Sequence, residues 1–311
     1  MDNLTHSLIG ALAGQMGFKR KTGLAMPMLI IAANIPDIDA VATLLSGHQH
    51  LAIRRGLTHG PIALLLLPIL LWGFMLWFDA WQTRRGKRPD GRLPMNKTWL
   101  LGLAYIGCLS HPLLDWLNSY GVRLLEPFSS TWFYGDAIFI IDIWMWVAVS
   151  VGIYMSYRRE RRNAINWTMP AWYSAALLGT YLLVNGYITT HAEQLTVQAV
   201  EQRFGLTPSL VVANPVPVQF WKREMLWRDD TRFGKAIYSV PNEVKVDEQF
   251  GLHQMTNIEI SEAANKDVNV KAFLFWSRMP IISSTPQHLE INDQRFLNAL
   301  MKGSFTVHVP N

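Results

Sequence analysis

Residues 61–80, PIALLLLPILLWGFMLWFDA, hold a single charged side chain in twenty positions. Such a stretch has two structural options. It crosses a bilayer, which takes about 20 apolar residues, or it is buried on every side within a large protein. Residues 98–117, 137–157 and 171–190 read the same way. Apolar residues make up 50% of the 311 positions and charged ones 16%, less charge than the roughly 25% of soluble domains. The apolar excess falls in the first 190 residues. The pattern predicts a mostly α protein: a polytopic membrane helical bundle over residues 1–190, followed by a small α+β extramembrane domain over 191–311. Two other apolar segments are compromised. Residues 4–18 are short, and 24–45 are interrupted by ANIPDIDA; both suit partly inserted or protein-buried helices.

The net charge of +5 comes largely from basic clusters beside the apolar runs, at residues 19–21, 84–92 and 158–162. Their spacing reads as a topology signal, with all three in the cytoplasm, and no nucleic-acid partner is expected. The four spans then alternate, and residues 191–311 fall outside. Arg54 and Arg55 lie on the outer side against the rule. The single Cys108 excludes an intramolecular disulfide framework and a Cys-rich zinc site. The N-terminal residues lack the basic flank of a cleavable signal peptide. Beyond residue 190, SLVVANPVPVQFW, KAIYSV, NVKAFLFWS and SFTVHV predict strands, and QRFLNALMK a short amphipathic helix.

The apolar part carries ionisable residues that a membrane or a core disfavours. His111 and Asp115 are four apart, hence on one face of a helix, with Pro112 between them as a point of kinking or restart. NIPDID adds Asp37 and Asp39, RRGLTHG adds His59, DNLTHS adds His6, and YGDAIFIID adds Asp136 and Asp142. The alternation of spans brings these residues to one membrane level, the outer one. Mixed His and Asp ligands suit zinc or manganese, and several carboxylates with three histidines suffice for one or two ions. Arg54 and Arg55 precede His59 and are candidates to hold a phosphate by bidentate bonds. His48 and His50 suit a solvated loop, and His253, His288 and His308 have no evident partners.

LTHSLIGA, IPDID, RRGLTHG and HPLLDWLNSYGVRLLEPF together resemble the YdjM-like family of bacterial inner-membrane metal-dependent hydrolases, over about residues 1–160. More remotely the pattern is similar to zinc-dependent phospholipase C and the related single-strand nucleases. That likeness implies metal ligands His6, Asp39 (or Asp37), His59, His111 and Asp115, the last bridging two ions. There are departures. No N-terminal amine ligand can be argued from the sequence, and no later His with a His-x-x-x-Glu pair follows Asp115. Fewer ions, or Asp136 and Asp142 as substitutes, are the inferences. The implied protein is a multi-pass inner-membrane enzyme that hydrolyses a phosphoester of a lipid or lipid-linked substrate at the outer face. Asp39 is then the better metal ligand and Asp37 the better proton acceptor, with both candidates for the catalytic role. Alternatives are a metal-dependent ester or amide hydrolase and a non-catalytic, metal-stabilised scaffold or sensor.

Overall fold

Asp2 opens the first helix by accepting the Thr5 N–H at 3.0 Å, which satisfies one of the donors left over at a helix start. In chain order the helices are α1 (Asn3–Gln15), α2 (Ala25–Ala32), α3 (Gln49–Ile53), α4 (Pro61–Arg84), α5 (Lys97–Trp116), α6 (Ile143–Arg161), α7 (Met169–Phe204) and α8 (Val268–Trp276). A 3-10 helix, Ile35–Leu44, follows α2. These come from a computed structural model, which describes residues 1–45, 47–248, 250–252, 265, 267–284, 288–297 and 305–310. The chain forms two compact units. One is Met1–Asp39 with Arg55–Val184; the other is Ala40–Arg54 with Asn185–Asn311.

The first unit is helical. Met28, Leu29 and Ala32 of α2 are buried against Leu71 and Met75 of α4 and Leu100, Leu103 and Ala104 of α5. Two glycines bring three backbones together there. A Cβ on Gly10 of α1 would lie 2.7 Å from the Leu29 oxygen, and one on Gly107 of α5 would lie 2.9 Å from the same atom. Only glycine permits such an approach from both sides. Asn96 caps α5 by accepting the Trp99 N–H at 3.1 Å. Pro112 neither breaks nor restarts α5, which is continuous from Lys97 to Trp116.

The expected polytopic membrane bundle is not what this chain forms. Among the described residues, only Pro61–Arg84 is a single helix long and apolar enough to cross a membrane; the bent pair Ala25–Ala32 and Ile35–Leu44 is a second candidate if taken as one span. The stretches at 98–117, 137–157 and 171–190 do form helices, but they fall short. Trp and Tyr are less suited to lipid than aliphatic side chains, and polar residues interrupt all three. Thr98, Ser110, His111 and Asp115 dilute α5, α6 ends in Arg158–Arg161, and α7 continues into the polar sequence Glu193–Phe204.

The second unit holds β-strands. β1 (Leu210–Pro215), β2 (Lys222–Arg228), β3 (Arg232–Ser239) and β4 (Glu243–Val246) pair in that order, and β5 (Gly251–Leu252) pairs with β3. β6 (Pro280–Ser284), β7 (His288–Asp293) and β8 (Thr306–Pro310) make a second antiparallel sheet. Ala213, Met225, Ala236 and Tyr238 bury one face of the larger sheet against Ile188 and Ala192 of α7. NVKAFLFWS is helix rather than strand. Asp267 caps it through the Asn269 N–H at 2.7 Å, and three of its four buried residues, Val270, Phe273 and Trp276, recur every three positions, close to a helical period. Of QRFLNALMK, Gln294–Phe296 form a 3-10 turn, and residues 298–302 lie outside the described residues, as does His253.

Candidate metal centre

Three segments of the first unit meet at Asp115. It stands in the last turn of α5 and is fully buried, as are His6, His59 and His111. His6 comes from α1, His59 from a 3-10 turn, Leu57–His59, just before α4, and Asp37 from the first turn of the 3-10 helix after α2. Asp37, His59, His111 and Asp115 each offer a ligand atom, and these atoms all lie within 4.8 Å of one another.

The spacings within the group are those of ligands around a shared ion. Asp115 Oδ2 is 3.3 Å from His59 Nε2 and 3.6 Å from His111 Nε2, and Asp37 Oδ1 is 3.8 Å from His111 Nε2. Two ligands bound at 2.0–2.2 Å in a tetrahedral arrangement stand about 3.4 Å apart. Hydrogen bonds would be shorter, near 2.9 Å. His111 gives the sharpest test of fit. Its Nδ1 donates to the Ala33 carbonyl at 2.7 Å, so the lone pair is on Nε2. That buried atom makes no hydrogen bond and faces the two carboxylates. This is how a second-shell carbonyl sets the tautomer of a metal-binding histidine. The residues therefore fit a divalent cation.

His6 lies at the edge of this group. Its ring stacks on that of His111 with centroids 3.7 Å apart, and its Nε2 is 3.4 Å from Asp115 Oδ1. The Met1 amine also contacts Asp115 Oδ1. Burial, with the His111 ring, the Met1 amine and Arg55 close by, pushes the His6 imidazole far below the ordinary histidine range. Burial likewise lowers His111, against the opposing pull of Asp37 and the Ala33 carbonyl. Both rings are thus held neutral, the form that ligates metals.

The two aspartates of NIPDID face different ways. Asp37 is in the ligand group, while Asp39 stands behind it. Asp39 Oδ2 accepts the Arg55 N–H at 2.7 Å and the Thr58 hydroxyl at 2.8 Å, and lies 3.5 Å from His59 Nδ1. Thr58 Oγ1 is itself 2.9 Å from His59 Nδ1. Arg55 is no loose surface cation. Its Nε is 3.1 Å from Asp115 Oδ2, its Nη1 donates to Asn118 Oδ1 at 3.0 Å, and the guanidinium lies 4.6 Å over the Tyr120 ring. Its φ of 54° is left-handed, a strained conformation for a long side chain. Arg54 ends α3 as its C-cap.

Asp142 is not among the four. It caps α6 by accepting the Met145 N–H at 2.9 Å, and its other oxygen accepts the Tyr181 hydroxyl at 2.8 Å. Asp136 is buried with a φ of 47° and is also outside the group. His48 is tied to α8, where Asn269 Oδ1 accepts its backbone N–H at 3.0 Å. The supporting roles of Thr58, Asn118 and the Ala33 carbonyl are absent from the sequence reading. Thr58 and Asn118 carry a signal only through the motifs they sit in, RRGLTHG and HPLLDWLNSYGVRLLEPF.

An open surface cavity of about 400 Å³, lined by Asn3, Ile30, Ile31, Asn34, Ile35 and Ile38, has Asp37 of the group in its wall. Asp37 is the most exposed of the four ligand residues, at 8%.

Residues 1–192 match the family model described as YdjM inner membrane protein. No curated protein and no solved structure matches the chain.

Proposed function

The chain belongs to the YdjM inner membrane protein family, and from that membership together with its buried Asp37, His59, His111 and Asp115 we propose that it acts at a membrane as a metal-dependent hydrolase. The observation that carries this reading is the convergence of four ligand atoms within 4.8 Å. The donor set suits zinc or manganese, and Asp115, with neighbours at both oxygens, suits one ion or a bridged pair. An ion held there supplies Lewis-acid activation of water and of a phosphoryl oxygen.

The residues around it have separable tasks. His59 and His111 would hold the ion through Nε2, each fixed from behind by its Nδ1 contact. Asp39 and Thr58 position His59. Arg55 offsets the charge of Asp115. Asp37, which borders the cavity, would hold the ion and is also the carboxylate placed to take a proton from a molecule entering there. The isoleucine walls suit the chain of a lipid, and a phosphoester of a lipid or lipid-linked molecule is the favoured substrate. The positive-inside rule puts the Arg84 end of α4 in the cytoplasm and the His59 end at the outer face.

A second reading has its own support. Full burial of the group and the Arg55 bond to Asp115 also suit a closed, structural ion in a scaffold. Elemental analysis of the purified protein, with turnover assays on phosphatidic acid and a polyprenyl phosphate, separates the two. The hydrolase reading expects zinc or manganese and release of phosphate or a phosphorylated headgroup. Full metal occupancy in a folded His59→Ala, His111→Ala double variant would sink the metal assignment. Bound metal without turnover of any phosphoester would remove the phosphoesterase reading and leave an ester or amide hydrolase or the scaffold.

A further inference from the structure

The end of the first unit remote from the metal centre carries a second feature. The basic residues after α1 and those before α5 are joined there. The Gly23 N–H donates to the Pro94 carbonyl at 3.1 Å, and the buried Thr22 hydroxyl accepts the Asn96 N–H at 2.8 Å. Gly23 makes this contact possible, since a Cβ there would lie 2.5 Å from the Leu93 oxygen. The seam borders an open surface cavity of about 470 Å³ lined by Arg20, Lys21, Leu93, Met95, Asn96 and Lys97, with Pro94 between.

Its charge is one-sided. Glu160 pairs with Lys19 and, at 3.0 Å, with Arg20. Among the described residues, neither Lys21 nor Lys97 has a carboxylate at ion-pair distance. Lys21 instead lies 5.0 Å over the Trp99 ring, and Arg20 4.6 Å over Trp167. The walls are mixed: cations on one part, Leu93 and Met95 on the other, with indole rings alongside. The partner that matches is amphipathic and anionic. Free phosphate matches the cations alone and leaves the apolar wall unused. Indole rings and lysines beside a span mark the headgroup level of a bilayer, and α4 ends in Arg84 close in sequence to this wall.

We propose that this cavity is a binding site for the phosphodiester headgroup of an anionic phospholipid, with Lys21 and Lys97 on the phosphate and Leu93 and Met95 against the start of the acyl region. The site does not depend on the hydrolase reading and has no ligand residue in common with the metal centre. It would anchor the membrane unit at a defined depth.

The test uses the full-length protein in neutral detergent, titrated with phosphatidylglycerol or phosphatidylcholine and followed by native mass spectrometry. Phosphatidylglycerol is expected to bind at least about tenfold more tightly. A Lys21→Gln, Lys97→Gln double variant should weaken it about 25-fold, from about fivefold for each lysine, while the Lys→Arg pair should retain it. Lys87→Gln, exposed on the nearby basic loop, is the control and should change nothing. Equal binding of the two lipids, an unaffected double variant, or an equal loss in Lys87→Gln would overturn the proposal. Sodium phosphate that displaces phosphatidylglycerol where sodium chloride of matched ionic strength does not would assign the cavity to a free anion and overturn it as well.

Discussion

The Ala33 carbonyl accepts the Nδ1 proton of His111 at 2.7 Å. The ring is thereby fixed by the backbone of α2, while its Nε2 faces the carboxylates of Asp37 and Asp115. Ligation is therefore coupled to how closely α2 and α5 pack. Gly107→Ala would place a Cβ 2.7 Å from that of Ala32. Such overpacking costs about 1–3 kcal/mol and would move Ala33 away from His111. The expected outcome is a lower melting temperature together with lower metal content, though residue 107 touches no ligand. Unchanged metal content in a destabilised Gly107→Ala protein would show that the helix spacing does not govern the ring.

The aspartates of NIPDID should separate in a paired experiment. Asp37→Asn removes a ligand charge from the buried group and should lower metal content. Asp39→Ala leaves the Arg55 N–H and the Thr58 hydroxyl without their shared acceptor. That loss costs about 1–3 kcal/mol, with most of the metal retained. Elemental analysis and thermal unfolding of both variants check this. The opposite pattern would exchange the two roles.

Chelation should destabilise the helical unit. Buried carboxylates that lose a compensating cation are costly, and an ion that binds only the folded state stabilises it by mass action. Treatment with a strong chelator is expected to lower the melting temperature of the wild type. The His59→Ala, His111→Ala variant should not respond. An equal drop in both would trace the effect to something other than this centre.

The β-unit offers a test free of the metal. Asp293 and Arg295 are both fully buried and paired at 2.8 Å. Asp293 also accepts from the Ser277 hydroxyl at 2.5 Å. Burial by itself would raise the Asp293 carboxyl, but Arg295 and the hydrogen bonds outweigh it and hold the group below its ordinary value. A depressed carboxylate adds stability above its unfolded value and loses it as pH falls through the folded one. The β-unit should thus weaken only in strong acid. Asp293→Asn should cost about 3–5 kcal/mol at neutral pH, since it strands the guanidinium, and chemical denaturation measures it. A cost below about 1 kcal/mol would show that Arg295 finds another partner.

Much of the centre could be read from spacing, because helical geometry is local. His111 and Asp115 had to share a face once α5 was recognised. The choice between Asp37 and Asp39 could not be read that way. Both lie in the first turns of a 3-10 helix, and their directions depend on Thr58 and Arg55, which approach from elsewhere in the chain. Pro112 misled in the same manner: its local bias toward a break gives way to packing against α2. The membrane spans were overcounted because residue class is a coarse guide to lipid solubility. His111 and Asp115 were noticed for being costly in a span, and together with Thr98 and Ser110 they leave α5 short of the apolarity that a span requires. The β-branched and aromatic residues of NVKAFLFWS suit a strand, yet Val270, Phe273 and Trp276, three of its four buried residues, repeat every three positions as on a helix.

The meeting of Gly10 and Gly107 on the Leu29 oxygen bears on how the protein is made. Helices α1 and α2 emerge from the ribosome well before α5, and until α5 arrives neither His111 nor Asp115 exists to receive an ion. Asp37 and His59 then wait in a chain that offers half a coordination shell. An ion held by this group would therefore be captured late in biogenesis, once α5 has been made. A chain whose α1, α2 and α5 had docked without an ion would then be compact yet less stable than the finished protein, with its carboxylates uncompensated.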